Sequence, residues 1–402
     1  MSTHGAPPRP KPITIEPRAV RKLTAGHPWI YANEITRRSG DLADVDLVVV
    51  NDPDGRPLAT DTYHKHSLIQ VRVLTRRDEP VDAALIRRRL AAALARRRAV
   101  YPELDCLRLV HGECDGLPGL VVDRYADVLV IELNTQGIFL LLEPILDGLE
   151  ALLGPRAIVL RNTSTALAYE QLEPRTEVLR GELAGPVEVS EWGVKYLVDP
   201  LQGQKTGLFL DQKENRRLLR RWCEGATVWD VFAYAGGWGL HALAAGARHV
   251  TFVDSSAAAC AQIRTNLALN GFTDAVADVV QASAFDALRE MPRNAVDVLV
   301  LDPPAFAKTR KDVNAAVRAY VDINRVGLQR LDEGGILATS TCSFHVSAEI
   351  FGQVVDRAVF QSSQRVELLA EGGQAPDHPV QLEFPESRYL KTRFLRKLPY
   401  HP

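Results

Sequence analysis

The sequence predicts an α/β protein whose C-terminal half is a doubly wound, mostly parallel sheet, preceded by a small β-rich domain and a central α+β domain. Three observations lead there. From Asp199 onward, apolar runs suited to buried strands alternate with stretches of helical periodicity. Thr227 to Gly239, reading TVWDVFAYAGGWG, joins a strand to a helix through a glycine-rich turn. Such a turn lets a ligand approach backbone at the carboxyl edge of a sheet, where a Cβ would collide or forbid the dihedrals. Near the N-terminus, Leu68 to Leu74 (LIQVRVL) alternates with period two, as a half-buried strand does.

Composition sets the frame. At 402 residues, the chain exceeds one small core and fits two or three domains. With 46% hydrophobic and 24% charged residues it reads as a soluble globular protein. No stretch approaches the roughly 20 apolar residues of a membrane span. The opening MSTHGAPPRPKP has no apolar core, so it reads as a frayed tail rather than a signal peptide. The five cysteines form no C-x-x-C pair, which argues against a zinc site or disulfide framework and for a reducing, cytoplasmic setting. Net charge is −2, so any affinity for nucleic acid must come from local patches.

Residues 12–76 read as the β-rich domain, with a buried strand Val45 to Val50, the turn Asn51 to Gly55, and the alternating strand above. Trp29 and Tyr31 could stack on bases, but for Trp29 packing within a small barrel is favoured. Residues 81–198 read as the central domain. Its helix, Val81 to Tyr101, carries Arg87 to Arg89 and Arg96 to Arg98, and Arg89 and Arg96 share a face. A solvated helix face is the ordinary explanation; six arginines without an intervening acid also suit a phosphate-facing patch. His111, Glu113, Cys114 and Asp115 match no metal spacing, and turn chemistry accounts for them.

Residues 199–402 form the third domain. A helix is expected at Lys213 to Glu224, then strands at Val228–Asp230 and Val250–Asp254, and a helix at Ala257–Leu269. Strands Val276–Gln281 and Val296–Leu301 lead to helix Val313–Arg330 and strand Ile336–Ser340. Helix Val346–Phe360 and strands Arg365–Leu369 and Arg388–Leu398 close the chain.

Candidate chemistry gathers at strand ends. Asp230 precedes the glycine loop, and Asp254 ends the next strand, where a carboxylate can take both hydroxyls of a ribose. Asp302 is followed by Pro303 and Pro304, whose fixed φ and missing N–H groups make a rigid edge beside a planar substrate. Cys342 follows small polar residues, with Thr341, Ser343 and His345 nearby, a setting in which a thiolate can be stabilised. Adjacent strands would bring Asp302 and Cys342 to one pocket.

These segments together resemble the class I, Rossmann-like S-adenosylmethionine-dependent methyltransferases that modify large-subunit ribosomal RNA and carry an N-terminal PUA domain. GHPWIYANEI and DPDGRPLATDTYHKHSLIQVRVL are similar to the PUA part, and GECDGLPGLVVDRY to the middle. GQKTGLFLDQKENRR, VWDVFAYAGGWGLHA, DPPAF and STCS follow in the family's order. The resemblance implies an S-adenosylmethionine site lined by Asp230, Phe232, Tyr234, Gly236 and Asp254, closed by Phe209, Asp211 and Gln212, with Asp302 beside it. Where the family usually has an adenine-binding aspartate, this chain has Ser283, so adenine contacts fall to the Ala284 backbone or Asp286.

The reaction implied is methylation of a cytosine C5, with Cys342 as nucleophile and Asp302 holding the base edge and assisting proton movement. Pro304-Ala305 stands where another branch carries a second cysteine, so release of the adduct needs another base, Asp302 or water. The alternatives within the class are a guanine nitrogen or uracil C5. Outside it stand a nicotinamide dehydrogenase, since Gly237 to Ala242 formally fits G-x-G-x-x-A, and a non-catalytic RNA-binding protein. Expected partners are large-subunit ribosomal RNA and no membrane, with a homodimer one assembly the sequence allows.

Overall fold

A computed structural model describes residues 10–202, 207–307 and 309–399. The predicted N-terminal tail before Pro10, and Gly203 to Thr206 of the GQKTG stretch, lie outside them. The chain forms two compact units. The first comprises Met1–Val187, Val198–Leu208 and Pro376–Ser387; the second Glu188–Leu197, Phe209–Ala375 and Arg388–Pro402. No helix among the described residues is long and apolar enough to cross a membrane.

The first unit holds two sheets. One has six strands in the order Trp29–Tyr31, Ile69–Thr75, Pro57–His64, Val45–Asn51, Lys11–Ile15 and Ile35–Arg38. Ile13, Ile15, Ile30, Val48, Val50, Val71 and Val73 belong to one core; the strand over Ile69–Thr75 is buried along most of its length, not on one face as its alternation suggested. The predicted turn closes with Gly55 N–H on the Asp52 carbonyl at 3.0 Å, Gly55 taking the left-handed φ of +84°. The other sheet has five strands, in the order Arg175–Gly181, Ala157–Asn162, Val128–Leu133, Leu120–Tyr125 and Cys106–His111.

The arginine helix spans Ala83–Val100, capped by the Asp82 carboxylate, which accepts from Leu85 N–H at 2.9 Å. Its arginines divide. Arg97 is buried and forks onto Asp115, while Arg96 pairs with Asp115 from the surface. Arg89 donates to the Leu74 carbonyl at 2.9 Å, and Arg88 pairs with Glu79. Arg87 and Arg98 are exposed. Trp29 is a packing residue: its indole N–H donates to Glu113 at 2.8 Å and its ring meets Phe384 edge-on at 4.7 Å.

The second unit is a seven-stranded sheet in the order Ala277–Gln281, His249–Asp254, Thr227–Val231, Val296–Leu301, Leu331–Thr341, Lys391–Lys397 and Val366–Gly373. The first five strands pair in parallel, and Lys391–Lys397 runs antiparallel to both its neighbours. Long apolar strands such as VDVLVL are buried on both faces because helices cover each side. The helix expected over Lys213 to Glu224 is α-helical only to Leu219 and tightens to a 3-10 turn over Arg220–Trp222. A helix at Ala284–Glu290 has no counterpart in the sequence expectation; seven residues are too few to show a helical period.

Candidate active site

The strand order turns at the junction of Thr227–Val231 and Val296–Leu301, the place where parallel sheets leave a crevice beyond their carboxyl ends. Asp230, Asp254, Asp302 and Cys342 stand at or just past the ends of four successive neighbours in that order.

The glycine loop is strained. Phe232 and Tyr234 take φ of 67° and 50°, left-handed values that cost a residue with a Cβ, and Gly236 takes 79° without that cost. Anchors hold the shape: Ala233 N–H bonds the Val253 carbonyl at 3.0 Å, and Tyr234 N–H bonds Asp254 Oδ2 at 2.9 Å. Asp254 Oδ1 accepts from Ser256 N–H at 2.9 Å. Each oxygen of this half-buried carboxylate keeps acceptor capacity for a ligand hydroxyl.

The helix after the loop starts at Gly237 and runs to Ala244. A Cβ on Gly239 would come within 2.2 Å of Phe252 Cε1, so glycine here is what lets helix and sheet approach. Gly237 and Gly239, the first glycines of the dehydrogenase-like pattern, therefore lie inside a helix and not in a phosphate-binding turn. Beneath this helix the buried Arg216 forks onto Glu191 with both bonds at 2.8 Å.

Asp230 is fully buried. Its Oδ2 accepts from Gly239 N–H at 2.9 Å, and Oδ1 has no hydrogen-bond partner among the described residues. Burial pushes its carboxyl up to about 8, and the nearby Asp302 and Asp254 charges push the same way. An orphaned buried oxygen, a strained loop and a carboxylate with spare acceptor capacity fit a polar ligand with adjacent hydroxyls.

Asp302 is gripped from two sides. Gln212 Nε2 donates to Oδ1 and Trp238 Nε1 to Oδ2, each at 2.9 Å. Gln212 is itself set by Asn215, which donates to Gln212 Oε1 at 2.6 Å and to the Gly373 carbonyl at 2.9 Å. Asp211, buried, accepts the Tyr389 hydroxyl at 2.7 Å, and Phe209 meets the Tyr234 ring edge-on at 5.1 Å. Ser283 is exposed at the start of the short Ala284–Glu290 helix, Ala284 is buried and Asp286 is exposed. Between them and the glycine loop stands an aromatic group: Phe285 stacks near Phe306 at 6.2 Å, and Phe232 meets each edge-on at 6.4 Å.

Cys342 is half-buried, whereas Cys106, Cys114, Cys223 and Cys260 are buried. Tyr320 OH sits 2.9 Å from Thr341 Oγ1 and 3.0 Å from Ser343 Oγ, fixing the chain on both sides of the cysteine. Lys391, buried, donates to the Ser343 carbonyl at 3.0 Å. Trp238, Asn215, Tyr389, Lys391, Phe285 and Phe306 had no place in the sequence reading of the site.

Comparison with known proteins gives two family matches. A PUA-like domain matches residues 13–76, and an S-adenosylmethionine-dependent methyltransferase matches residues 108–376. The Shewanella denitrificans protein named ribosomal RNA large subunit methyltransferase I is 38% identical, over 94% of this chain and 97% of its own. A Deinococcus radiodurans ribosomal RNA large subunit methyltransferase is 40% identical over 96% of this chain and 97% of its own. A solved structure of a provisionally named methyltransferase complexed with SAH superimposes with a TM-score of 0.84, at 19% identity, over 96% of this chain and 100% of that one. A Streptococcus mutans protein, provisionally a SAM-dependent methyltransferase, gives a TM-score of 0.81 at 20% identity and the same coverage. At such identities these two speak for the fold alone. With a family match over most of its length and relatives similar from end to end, the chain belongs to the S-adenosylmethionine-dependent methyltransferases, with a PUA-like domain at its N-terminus and S-adenosylmethionine as its cofactor.

Proposed function

We propose that this enzyme methylates a base of large-subunit ribosomal RNA, and that the base is a cytosine methylated at C5 through Cys342. The names of relatives similar over nearly the whole chain support the RNA substrate. The cytosine assignment rests on one observation: the half-buried cysteine follows the strand next to the one that Asp302 follows. In this reading residues 12–76 and 81–198 handle RNA, and residues 199–402 carry out the transfer.

Asp254 takes the ribose hydroxyls of the cofactor, and the loop Phe232, Tyr234 and Gly236 offers backbone to it. Phe209 closes over that loop, while Asp211 and Gln212 act by fixing Tyr389 and Asp302. Asp230 holds the helix start and turns its remaining oxygen toward the ligand. Ser283 and Ala284, with the Phe285 ring, border the adenine. S-adenosylmethionine supplies an electrophilic methyl on a sulfonium.

Cytosine C5 is a weak nucleophile on its own. Addition of the Cys342 thiolate to C6 forms a C–S bond and moves electron density to C5, which then takes the methyl. Loss of the C5 proton to a base restores the ring and expels Cys342 as thiolate. The Asp302 side chain, held by Gln212 and Trp238, offers its oxygens to the cytosine amino group, where uracil has only the acceptor O4. The target must be unstacked or looped out to reach this edge.

RNA carrying 5-fluorocytosine tests the proposal. The wild-type enzyme should trap a covalent adduct, because fluorine cannot leave C5 as a cation, and Cys342→Ala should form none and lose turnover while still binding cofactor and RNA. Near-normal turnover in that variant would sink the C5 assignment and favour a base nitrogen, which needs no covalent step.

A further inference from the structure

Lys391 has no place in the chemistry described so far, yet its position is unusual. It opens the one antiparallel strand of the sheet and pairs in register with Thr341 on one side and Gly373 on the other. Its side chain is buried, and among the described residues no carboxylate lies within ion-pair distance. Its Nζ donates to the carbonyl of Ser343 at 3.0 Å, one residue beyond Cys342. A buried ammonium without a counter-charge is costly. A neutral carbonyl offsets little of that cost, so the fold gives up stability to keep a cation at this strand end.

The geometry points to Lys391 as the positioning residue that holds the Cys342 sulfur as a thiolate. The inference rests on the reading of Cys342 as nucleophile and adds the group that keeps it ionised. Among the described residues, Tyr320 is the titratable group placed beside the pair by its bonds to Thr341 and Ser343. Tyr320, on the helix packed behind the strand, has its phenol kept protonated by burial, and it faces Thr341 and Ser343. Burial lowers the Lys391 ammonium to about 8, and the Cys342 charge is the influence that opposes the fall. Coupling of this kind is mutual: whatever a thiolate does for the ammonium, the ammonium does for the thiolate. Thr341 and Ser343 bond the Tyr320 hydroxyl on either side of Cys342, which fixes the backbone that carries the thiol.

The test is the pH profile of Cys342 alkylation by iodoacetamide in the full-length protein, followed at the Cys342 peptide by mass spectrometry without RNA or methyl donor. The wild-type midpoint should fall below the roughly 8.5 of an ordinary thiol. Lys391→Met should raise it by about one unit, slowing alkylation at pH 7 about tenfold; Lys391→Arg, which keeps the charge, should stay near wild type. A wild-type midpoint at or above the ordinary value, or an unchanged profile in Lys391→Met, overturns the inference. Should Lys391→Met fail to fold, the reciprocal measurement decides. In [13C]lysine NMR, Cys342→Ala should shift the Lys391 titration to lower pH, and an unmoved titration overturns the pairing. If Lys391 governs alkylation but Cys342→Ala keeps turnover, the pairing stands and the C5 reading falls.

Discussion

Two buried aspartates, one in each unit, are alike in isolation and different in company. Asp61, in the N-terminal sheet, and Asp230, before the glycine loop, are both fully buried, and burial pushes each carboxyl up to about 8. Each gives one oxygen to a backbone N–H, Leu74 for Asp61 and Gly239 for Asp230, and leaves the other without a partner among the described residues. Around Asp61 the backbone is relaxed: from Pro10 to Thr75 only glycines take positive φ, and the charge acting on it is the cation Arg76. Around Asp230 two non-glycine residues take left-handed φ, and two further carboxylates raise it. A buried acid among relaxed strands is a staple between them. A buried acid among like charges and stored strain belongs to a ligand site, since only a bound group offsets both.

The contrast breaks first at the structural end. Asp115 in the first unit carries a full fork from Arg97, with bonds of 2.6 and 2.8 Å, and Arg97 also bonds the Asp377 carbonyl. Arg97→Met should cost about 3 kcal/mol of stability in urea denaturation, because it removes the buried fork and leaves Asp115 to the surface cation Arg96. Calorimetric affinity for S-adenosylmethionine should not move. A parallel loss of that affinity would show that the two regions are not separate in function.

At the functional end the expected effect is smaller in energy and different in kind. Asp254→Ala removes the anchor from Tyr234 N–H and, on the proposed reading, the acceptor for the cofactor's ribose. Cofactor binding should weaken by about 1.5–3 kcal/mol, roughly 10- to 150-fold. Unchanged affinity on titration would take Asp254 out of the site.

The aspartate pair itself can be compared by pH. An aspartate raised in the fold stays protonated there while its unfolded counterpart, near 3.9, is ionised. Its contribution is full below the unfolded value and is lost as pH rises to about 8, at about 1.4 kcal/mol per pH unit for each group. Asp61→Asn and Asp230→Asn, which keep the acceptor oxygen, should each flatten the decline of melting temperature across that window. Saturating S-adenosylmethionine should change the part owed to Asp230 and leave the part owed to Asp61. Identical responses to the cofactor in both variants would erase the distinction.

What was legible in the sequence follows the same division. The strand ends at Asp230, Asp254, Asp302 and Cys342 could be read because each sits beside a local signal: a glycine loop, a terminated apolar run, a double proline. Their supports could not. Gln212 and Trp238 reach Asp302 across 90 and 64 residues, and Lys391 reaches Ser343 across 48, and no local period records such pairings. The aromatic group of Phe232, Phe285 and Phe306 is likewise assembled from three separate stretches of chain. The passage of Pro376–Ser387 into the first unit also left no trace in sequence, although Phe384 meets Trp29 there and Asp377 accepts from Arg108 N–H.

The arginine helix gives the finest test of structural against functional charge. Sequence periodicity singled out Arg89 and Arg96 as a phosphate-facing pair, but Arg89 is bonded to the Leu74 carbonyl and Arg96 to Asp115. Arg96, paired with a carboxylate, releases few counterions when RNA binds, and the half-buried Arg89 is held off a phosphate by its bond to the carbonyl. Arg87 and Arg98, exposed on the same helix, have no such partner among the described residues. Replacing Arg87 and Arg98 together by glutamine should therefore lower the slope of log affinity against log salt by about 0.7–0.9 for each phosphate left without its cation. The Arg89 and Arg96 double variant should lower it by less than one phosphate's share. Fluorescence anisotropy with a ribosomal RNA fragment across a salt series measures both. If the Arg89 and Arg96 variant shows the larger change, those side chains leave their protein partners for phosphate, and the helix belongs with the strained, ligand-directed parts of the molecule.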